Sequence, residues 1–250
     1  MEILAALLIE LVTAFLMLGL ASLSVYWGLR KGFEPLWVVV MGAAVVAAYV
    51  VGSFLLGQLG PHPDTLASIQ QSFDQMWQLK SKSLADQKMT PADIKLVKDL
   101  CEKYILWSLP AWMLVGALGA GFVAYYLVSS VLSKSNPRVS PPIPFSRWMV
   151  PEPLVFGLIA AGLIKVLAKE NTWIDIVGNN LLVFFSVLYT FAGLTIVSFY
   201  FQKWRFPSFA RLLGYLVIIL VTYNSICILG VLDIWLDFRK IKKNTSEPAT

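Results

Sequence analysis

The chain has 250 residues, of which 58% are hydrophobic and 14% are charged, with a formal net charge of +5. Soluble proteins carry about 25% charged residues, and a chain of this size cannot bury so much apolar surface in a water-exposed fold. Several apolar runs exceed the roughly 18 residues that mark a membrane helix. The composition predicts an integral membrane protein, whose excess cations suit anionic headgroups rather than nucleic acid.

Six membrane spans are predicted, in an all-α, polytopic helical bundle. The first apolar run is too long for the core of a signal peptide and has no basic segment before it, so it is interpreted as a retained span. The predicted spans are residues 3–29, 36–59, 104–132, 153–168, 173–201 and 209–232. The chain then divides into two first spans (1–59), a polar insert (60–103), a four-span region (104–235) and a basic tail (236–250), which is placed in the cytoplasm.

The polar insert is predicted to form two helices. Residues 64–79 place apolar side chains such as Phe73 and Trp77 on one face, which indicates an amphipathic interfacial helix. It lies at the membrane interface, contacts a partner, or covers the protein's own spans. Thr90 and Pro91 predict the start of a second helix that continues into span three and kinks at Pro110.

Small residues recur at four-residue spacing in spans two and three. In lipid such ridges let helix backbones approach closely. They pack inside the bundle or contact a second membrane protein. The helix-packing residues are Ala43, Ala44, Ala47, Ala48, Gly116, Ala117, Ala120 and Gly121.

Five prolines lie within residues 141–153, between spans three and four. Proline fixes an extended path with few backbone donors, which suits a segment that crosses the mouth of the bundle. Arg147 and Trp148 lie at its centre and suit the headgroup region, and Glu152 precedes span four. The segment is therefore predicted to be an interfacial strap.

Polar side chains within predicted spans are candidate functional groups, because burying them in lipid is costly. Glu10 in span one pairs within the bundle, carries protons, binds a cation, or lies near the surface. Asn179 and Asn180 in span five bond a neighbouring helix or a ligand. These residues, with those of the strap, are the predicted polar sites of the chain.

The end of span six carries two acids four residues apart, Asp233 and Asp237, followed by Arg239. Acids at a helix C-terminus oppose its dipole and require a counter-charge. Lys165 or Lys169 is predicted to supply it, which would join spans four and six. The alternative is a docking or cation site.

Enzyme signatures are missing: the sequence has no phosphate loop, GxSxG, HExxH or CxxC pattern. The single histidine, His62, lies between two prolines, and Cys101 and Cys227 are far apart. We therefore expect no catalytic site, no metal site and no cofactor.

Three segments together resemble the C-terminal half of the YybS-like family of bacterial inner-membrane proteins, whose function is unassigned. They are PPIPFSRWMVPEP, GNNLLVFFSVLYTFAGLTIVSFYFQKW and LGVLDIWLDFRK, within roughly the last 120 residues. The resemblance implies a multi-pass protein of the bacterial inner membrane. In the family the segment that resembles span one follows further spans, so we expect a partner to complete the bundle.

That family is distantly similar to the substrate-binding subunits of energy-coupling-factor transporters, which are six-helix bundles that dock through small-residue ridges. Two hypotheses follow. In the first, the chain is a non-catalytic membrane subunit or scaffold that packs with other membrane proteins. In the second, it is a substrate-binding or permease-like component with Glu10, Asn179 and Asn180 facing a small-molecule cavity. A filled interior favours the first, and a cavity of a few hundred Å³ favours the second.

Overall fold

The computed structural model describes residues 2–59, 65–86, 89–170 and 172–241. His62 lies outside these ranges, as does the basic tail beyond residue 241. The described part of the chain is helical and contains no strand, which confirms the all-α prediction. The helices are α1 (Glu2–Arg30), α2 (Pro35–Leu59), α3 (Thr65–Asp86), α4 (Pro91–Cys101), α5 (Leu109–Ser135), α6 (Leu154–Leu167), α7 (Trp173–Lys203) and α8 (Ser208–Leu236).

Within the described residues, four helices are long and apolar enough to cross a membrane, judged by length and composition. They comprise Leu11–Arg30 of α1, Pro35–Leu55 of α2, all of α5 and all of α7. The predicted fourth span is α6, whose 14 residues extend about 21 Å, short of the roughly 30 Å of a bilayer core. The predicted sixth span is α8, a helix of 29 residues that contains the apolar stretches Ser208–Ile218 and Asn224–Leu236.

The chain separates into two compact units, Met1–Ser140 and Pro141–Thr250. In the first unit, α1, α2 and α5 pack against one another. The closest approach lies at Gly121, where an added Cβ would stand 2.5 Å from the Val39 carbonyl oxygen and 2.7 Å from the Ala43 nitrogen. Only glycine fits there, so this crossing of α2 and α5 depends on backbone contact.

The polar insert forms two helices, as predicted, with different boundaries. α3 continues to Asp86, so the linker expected from residue 81 is shorter. α4 begins as predicted: the Thr90 side chain accepts a hydrogen bond from the Asp93 nitrogen, at 3.2 Å. Lys98 of α4 pairs with Asp74 of α3 at 3.0 Å, with both side chains partly exposed.

The helix is interrupted a few residues before Pro110, where the kink was predicted. Glu102–Leu106 form a π-helical turn after α4, and a further turn at residues 107–108 leads into α5. Pro110 is in the first turn of α5. A missing N–H causes no loss at that position, so the proline helps to start α5 rather than bending a continuous helix.

The second unit contains α6, α7, α8 and a short 3₁₀ turn, Phe145–Arg147. α7 contacts all three of the others. Gly193 of α7 and Gly230 of α8 form its tightest crossing, because an added Cβ on Gly230 would lie 2.0 Å from the Tyr189 carbonyl oxygen and 2.8 Å from the Gly193 nitrogen. This crossing positions the end of α8 beside the strap.

Candidate functional site

The strap and the end of α8 together hold a cluster of buried polar groups. Three of its members were predicted site residues: Asp233, Arg239 and Trp148 of the strap. Ser146 and Thr195 complete the cluster, and all five residues are buried. We call this set the arginine cluster.

The strap reaches α7 through several contacts. Prolines at 141, 142 and 144 precede the 3₁₀ turn, and the Ser146 hydroxyl donates to Oε1 of Gln202 at 3.0 Å. Phe145 packs edge-on against Phe191, with ring centroids 5.2 Å apart. The strap backbone is thereby held along the C-terminal half of α7, with its carbonyl groups available to a donor.

The chain reverses direction just after α8. Asp237 ends the helix in the left-handed region at φ 39°, and Oδ1 of Asp233 accepts a hydrogen bond from the Phe238 nitrogen at 2.9 Å. Oδ1 of Asp237 accepts from the Ile241 nitrogen at 3.1 Å. Each carboxylate thus accepts a hydrogen bond from a backbone N–H of the turn that follows the helix, which keeps these donors paired as the chain reverses.

This reversal directs Arg239 into the protein interior. Its Nη2 donates to Oδ2 of Asp233 at 2.7 Å. Its Nη1 donates to the carbonyl oxygens of Ser146 and Trp148, at 2.9 and 2.8 Å, and to Oγ1 of Thr195 at 3.0 Å. One guanidinium therefore joins the end of α8, the strap and α7.

The pair is enclosed, because only 1% of the Arg239 side chain and 9% of that of Asp233 are exposed. Removing two charges from water is costly, and the cost is offset only where the charges meet with good geometry and further hydrogen bonds. The charge-assisted bond to Asp233 and the three oxygen acceptors of Nη1 meet that condition. Each partner is thus needed to keep the other buried.

The predicted counter-charge of Asp233 is wrong. Lys165 pairs instead with Asp175, a buried residue in the first turn of α7. Gly178 of α7 also contacts Ile164 and Lys165, so this end of α6 lies near the start of α7. Asp233 lies elsewhere because α8 crosses α7 at Gly193 and because the reversal at Asp237 brings in an arginine only six residues away.

The other predicted polar residues are not members of the arginine cluster. Asn179 is buried, and the Asn180 side-chain amide donates to the Ile176 carbonyl of its own helix at 2.9 Å. Arg147 and Glu152 are exposed. Glu10 is in α1, but its side chain lies outside the described part of the structure.

The small-residue ridges divide between the interior and the surface. Ala43 of α2 and Ala117 of α5 are buried, as is Gly121, and this set mediates the crossing of the two helices. Ala47 and Ala120 are intermediate. In contrast, three members lie exposed on the outside: Ala44, Ala48 and Gly116.

Reasoning from sequence missed Thr195, Ser146 and Asp175. A threonine within an apolar span and a serine within the strap carry no recognisable signal. Asp175 did carry one, because Thr172 caps α7 by accepting from the Asp175 nitrogen at 3.3 Å, and threonine followed three residues later by an acidic residue is a helix-start pattern. Among the described residues, no group of three or more His, Cys, Asp or Glu side chains is placed to hold a metal ion.

In the comparison with known proteins, a family model matches the chain. The model, described as Predicted membrane protein (DUF2232), matches residues 2–234. Neither a curated protein nor a solved structure matches the chain.

Proposed function

The chain belongs to this DUF2232 family of predicted membrane proteins, and on that premise we propose that it is a non-catalytic, multi-pass subunit that packs with other membrane proteins. The three motifs quoted from its C-terminal half support placing it among the YybS-like members, in the bacterial inner membrane. The exposed small-residue ridge carries the proposal. Ala44 and Ala48 of α2 face outward one residue away from the ridge that packs on α5.

An outward ridge of small residues suits a second helix. In lipid, association is driven by close packing rather than by the hydrophobic effect, and small residues permit that packing. The inner ridge of the same two helices illustrates the principle, because Gly121 lies directly against the α2 backbone. Gly116 on α5 is open, as Ala44 and Ala48 are, because nothing lies within 4 Å of an added Cβ.

The interior of the second unit supports a subunit rather than a permease. The cavity beside Asp233 and Arg239 measures about 20 Å³, whereas small-molecule sites occupy about 300 to 1,000 Å³. Asn180 bonds its own helix. The arginine cluster is therefore suited to fixing the fold and leaves little room for a substrate.

The test is extraction of the tagged chain from its native membrane into lipid nanodiscs, followed by native mass measurement. We expect a complex of defined stoichiometry for the wild type. Ala44→Phe with Ala48→Phe should release the partner. The matched control, Val12→Phe with Leu16→Phe, enlarges two exposed positions at the same four-residue spacing on α1 and should leave the complex intact.

The proposal fails if the wild-type chain is isolated alone in the nanodisc. It also fails if both double variants retain or both release the partner, because the ridge would then have no particular role.

A further inference from the structure

The Nε–H of the Arg239 guanidinium has no acceptor among the described residues. Nη1 and Nη2 reach four oxygen acceptors, but the buried Nε–H finds no partner among the described residues. An unsatisfied N–H on a buried charged group carries the full cost of its lost hydration. Native structures rarely leave such a group without protein or water.

A small cavity lies beside this guanidinium. It measures about 20 Å³ and is lined by Met149, Val150, Ala192, Gly230, Asp233, Ile234 and Arg239. A cavity needs roughly 10–15 Å³ to hold one water, which in turn needs two to four polar partners. This one is large enough for a water and far too small for an organic ligand.

We propose that the cavity is a binding site for one ordered water, which accepts a hydrogen bond from Nε of Arg239 and donates to the Asp233 carboxylate. Each oxygen of that carboxylate has one protein donor, Phe238 N for Oδ1 and Arg239 Nη2 for Oδ2. A carboxylate oxygen can accept two. The water satisfies the buried Nε–H and makes a second link within the ion pair.

The cavity owes its existence to small residues at a helix crossing. Ala192 and Gly230 face it from α7 and α8, and Gly230 cannot be enlarged without displacing the Tyr189 carbonyl. The same crossing that brings the helices together thereby leaves a gap next to the charged pair. An apolar gap of this size stays dry, whereas a gap with a charged donor and a carboxylate favours water.

The test is nuclear magnetic resonance of the whole chain in nanodiscs, with ¹⁵N-labelled arginine. The sequence contains six arginines, and the Nε–H signal of Arg239 is identified by its loss in Arg239→Lys. We expect a cross-peak between this proton and a long-lived water. A spectrum in which the identified proton shows no such cross-peak overturns the proposal.

Replacing each of two buried alanines by valine tests whether the water lies in this cavity. Ala192→Val places methyl groups in the cavity and should abolish the cross-peak. Ala161→Val enlarges an equally buried alanine of α6 that does not line the cavity, and should preserve it. A cross-peak that survives Ala192→Val but not Ala161→Val would place the water elsewhere and contradict the proposal.

Discussion

The Lys98–Asp74 pair of the first unit and the Arg239–Asp233 pair of the second have opposite surroundings. Lys98 and Asp74 join α3 to α4 with 35% and 47% of their side chains exposed. Arg239 and Asp233 lie six residues apart at the end of α8, with 1% and 9% of their side chains exposed, and Arg239 also donates to the strap. The first pair remains in contact with solvent, so losing it costs little, whereas the second has given up its hydration and depends on every partner.

The difference also explains why one pair uses lysine and the other arginine. A lysine ammonium carries a compact, strongly hydrated charge that suits an exposed position. A guanidinium is less strongly hydrated and presents several donors in a fixed plane, so it can bond several acceptors at once. Arg239 reaches Asp233, two strap carbonyls and Thr195 in this way.

The largest predicted effect follows removal of the buried guanidinium. Arg239→Met should lower the free energy of unfolding in detergent by about 3–5 kcal/mol, because the Asp233 carboxylate remains buried without its counter-charge. The control is Lys240→Met, which removes the neighbouring exposed cation and should change stability little. Equal losses from the two substitutions would contradict the burial of the Arg239 pair.

A smaller effect is predicted for one added methyl group at a glycine. Gly230→Ala should cost about 1–3 kcal/mol, as overpacking does, since the new Cβ would meet backbone atoms of α7. Gly116→Ala makes the same change on the exposed face of α5 and should be neutral or slightly stabilising. Thermal unfolding of the two variants compares them directly, and a destabilised Gly116→Ala would contradict the open position of that residue.

The smallest effect is predicted for the exposed pair. Lys98→Ala should cost at most about 1 kcal/mol, and added salt should shrink the difference. The hydrogen bond to Asp74 raises the pKa of Lys98 above its usual 10.5. The pair therefore contributes fully below pH 10.5 and loses its contribution as the pH rises through the folded-state pKa.

Cysteine-accessibility labelling along α3 and α4 over that pH range would test this dependence of the contact on the charge of Lys98. Protection of cysteines placed along the α3–α4 contact should fall above pH 10.5 in the wild type and should be insensitive to pH in Lys98→Ala. Protection that falls equally in both proteins would show that another group controls the contact.

Local signals in the sequence predicted much of the fold. Long apolar runs located α1, α2, α5 and α7, and the Thr90–Pro91 pattern located the start of α4, because these features act within one segment. The kink expected at Pro110 was misplaced, since the proline lies in the first turn of α5. The residue type alone could not show where that helix begins.

The partners of the charged groups were not predictable in the same way. Asp233 and Arg239 were both recognised as polar site residues, yet Lys165 or Lys169 was expected to neutralise the acid. The correct pairing depends on a left-handed residue at Asp237 and on backbone carbonyls of the strap. Carbonyl groups have no signature in a sequence, and a non-glycine residue seldom adopts that conformation.

The most direct test of the arginine cluster is a double-mutant cycle on its two charges, using Arg239→Met, Asp233→Leu and the combined variant. Unfolding free energies would be measured in one detergent at one temperature. If the buried pair is mutually dependent, the double variant should lose at most about half of the sum of the two single losses in unfolding free energy. The reason is that no unpaired charge remains buried in it. Losses that simply add would contradict the account, since Arg239 and Asp233 would then stabilise the protein independently.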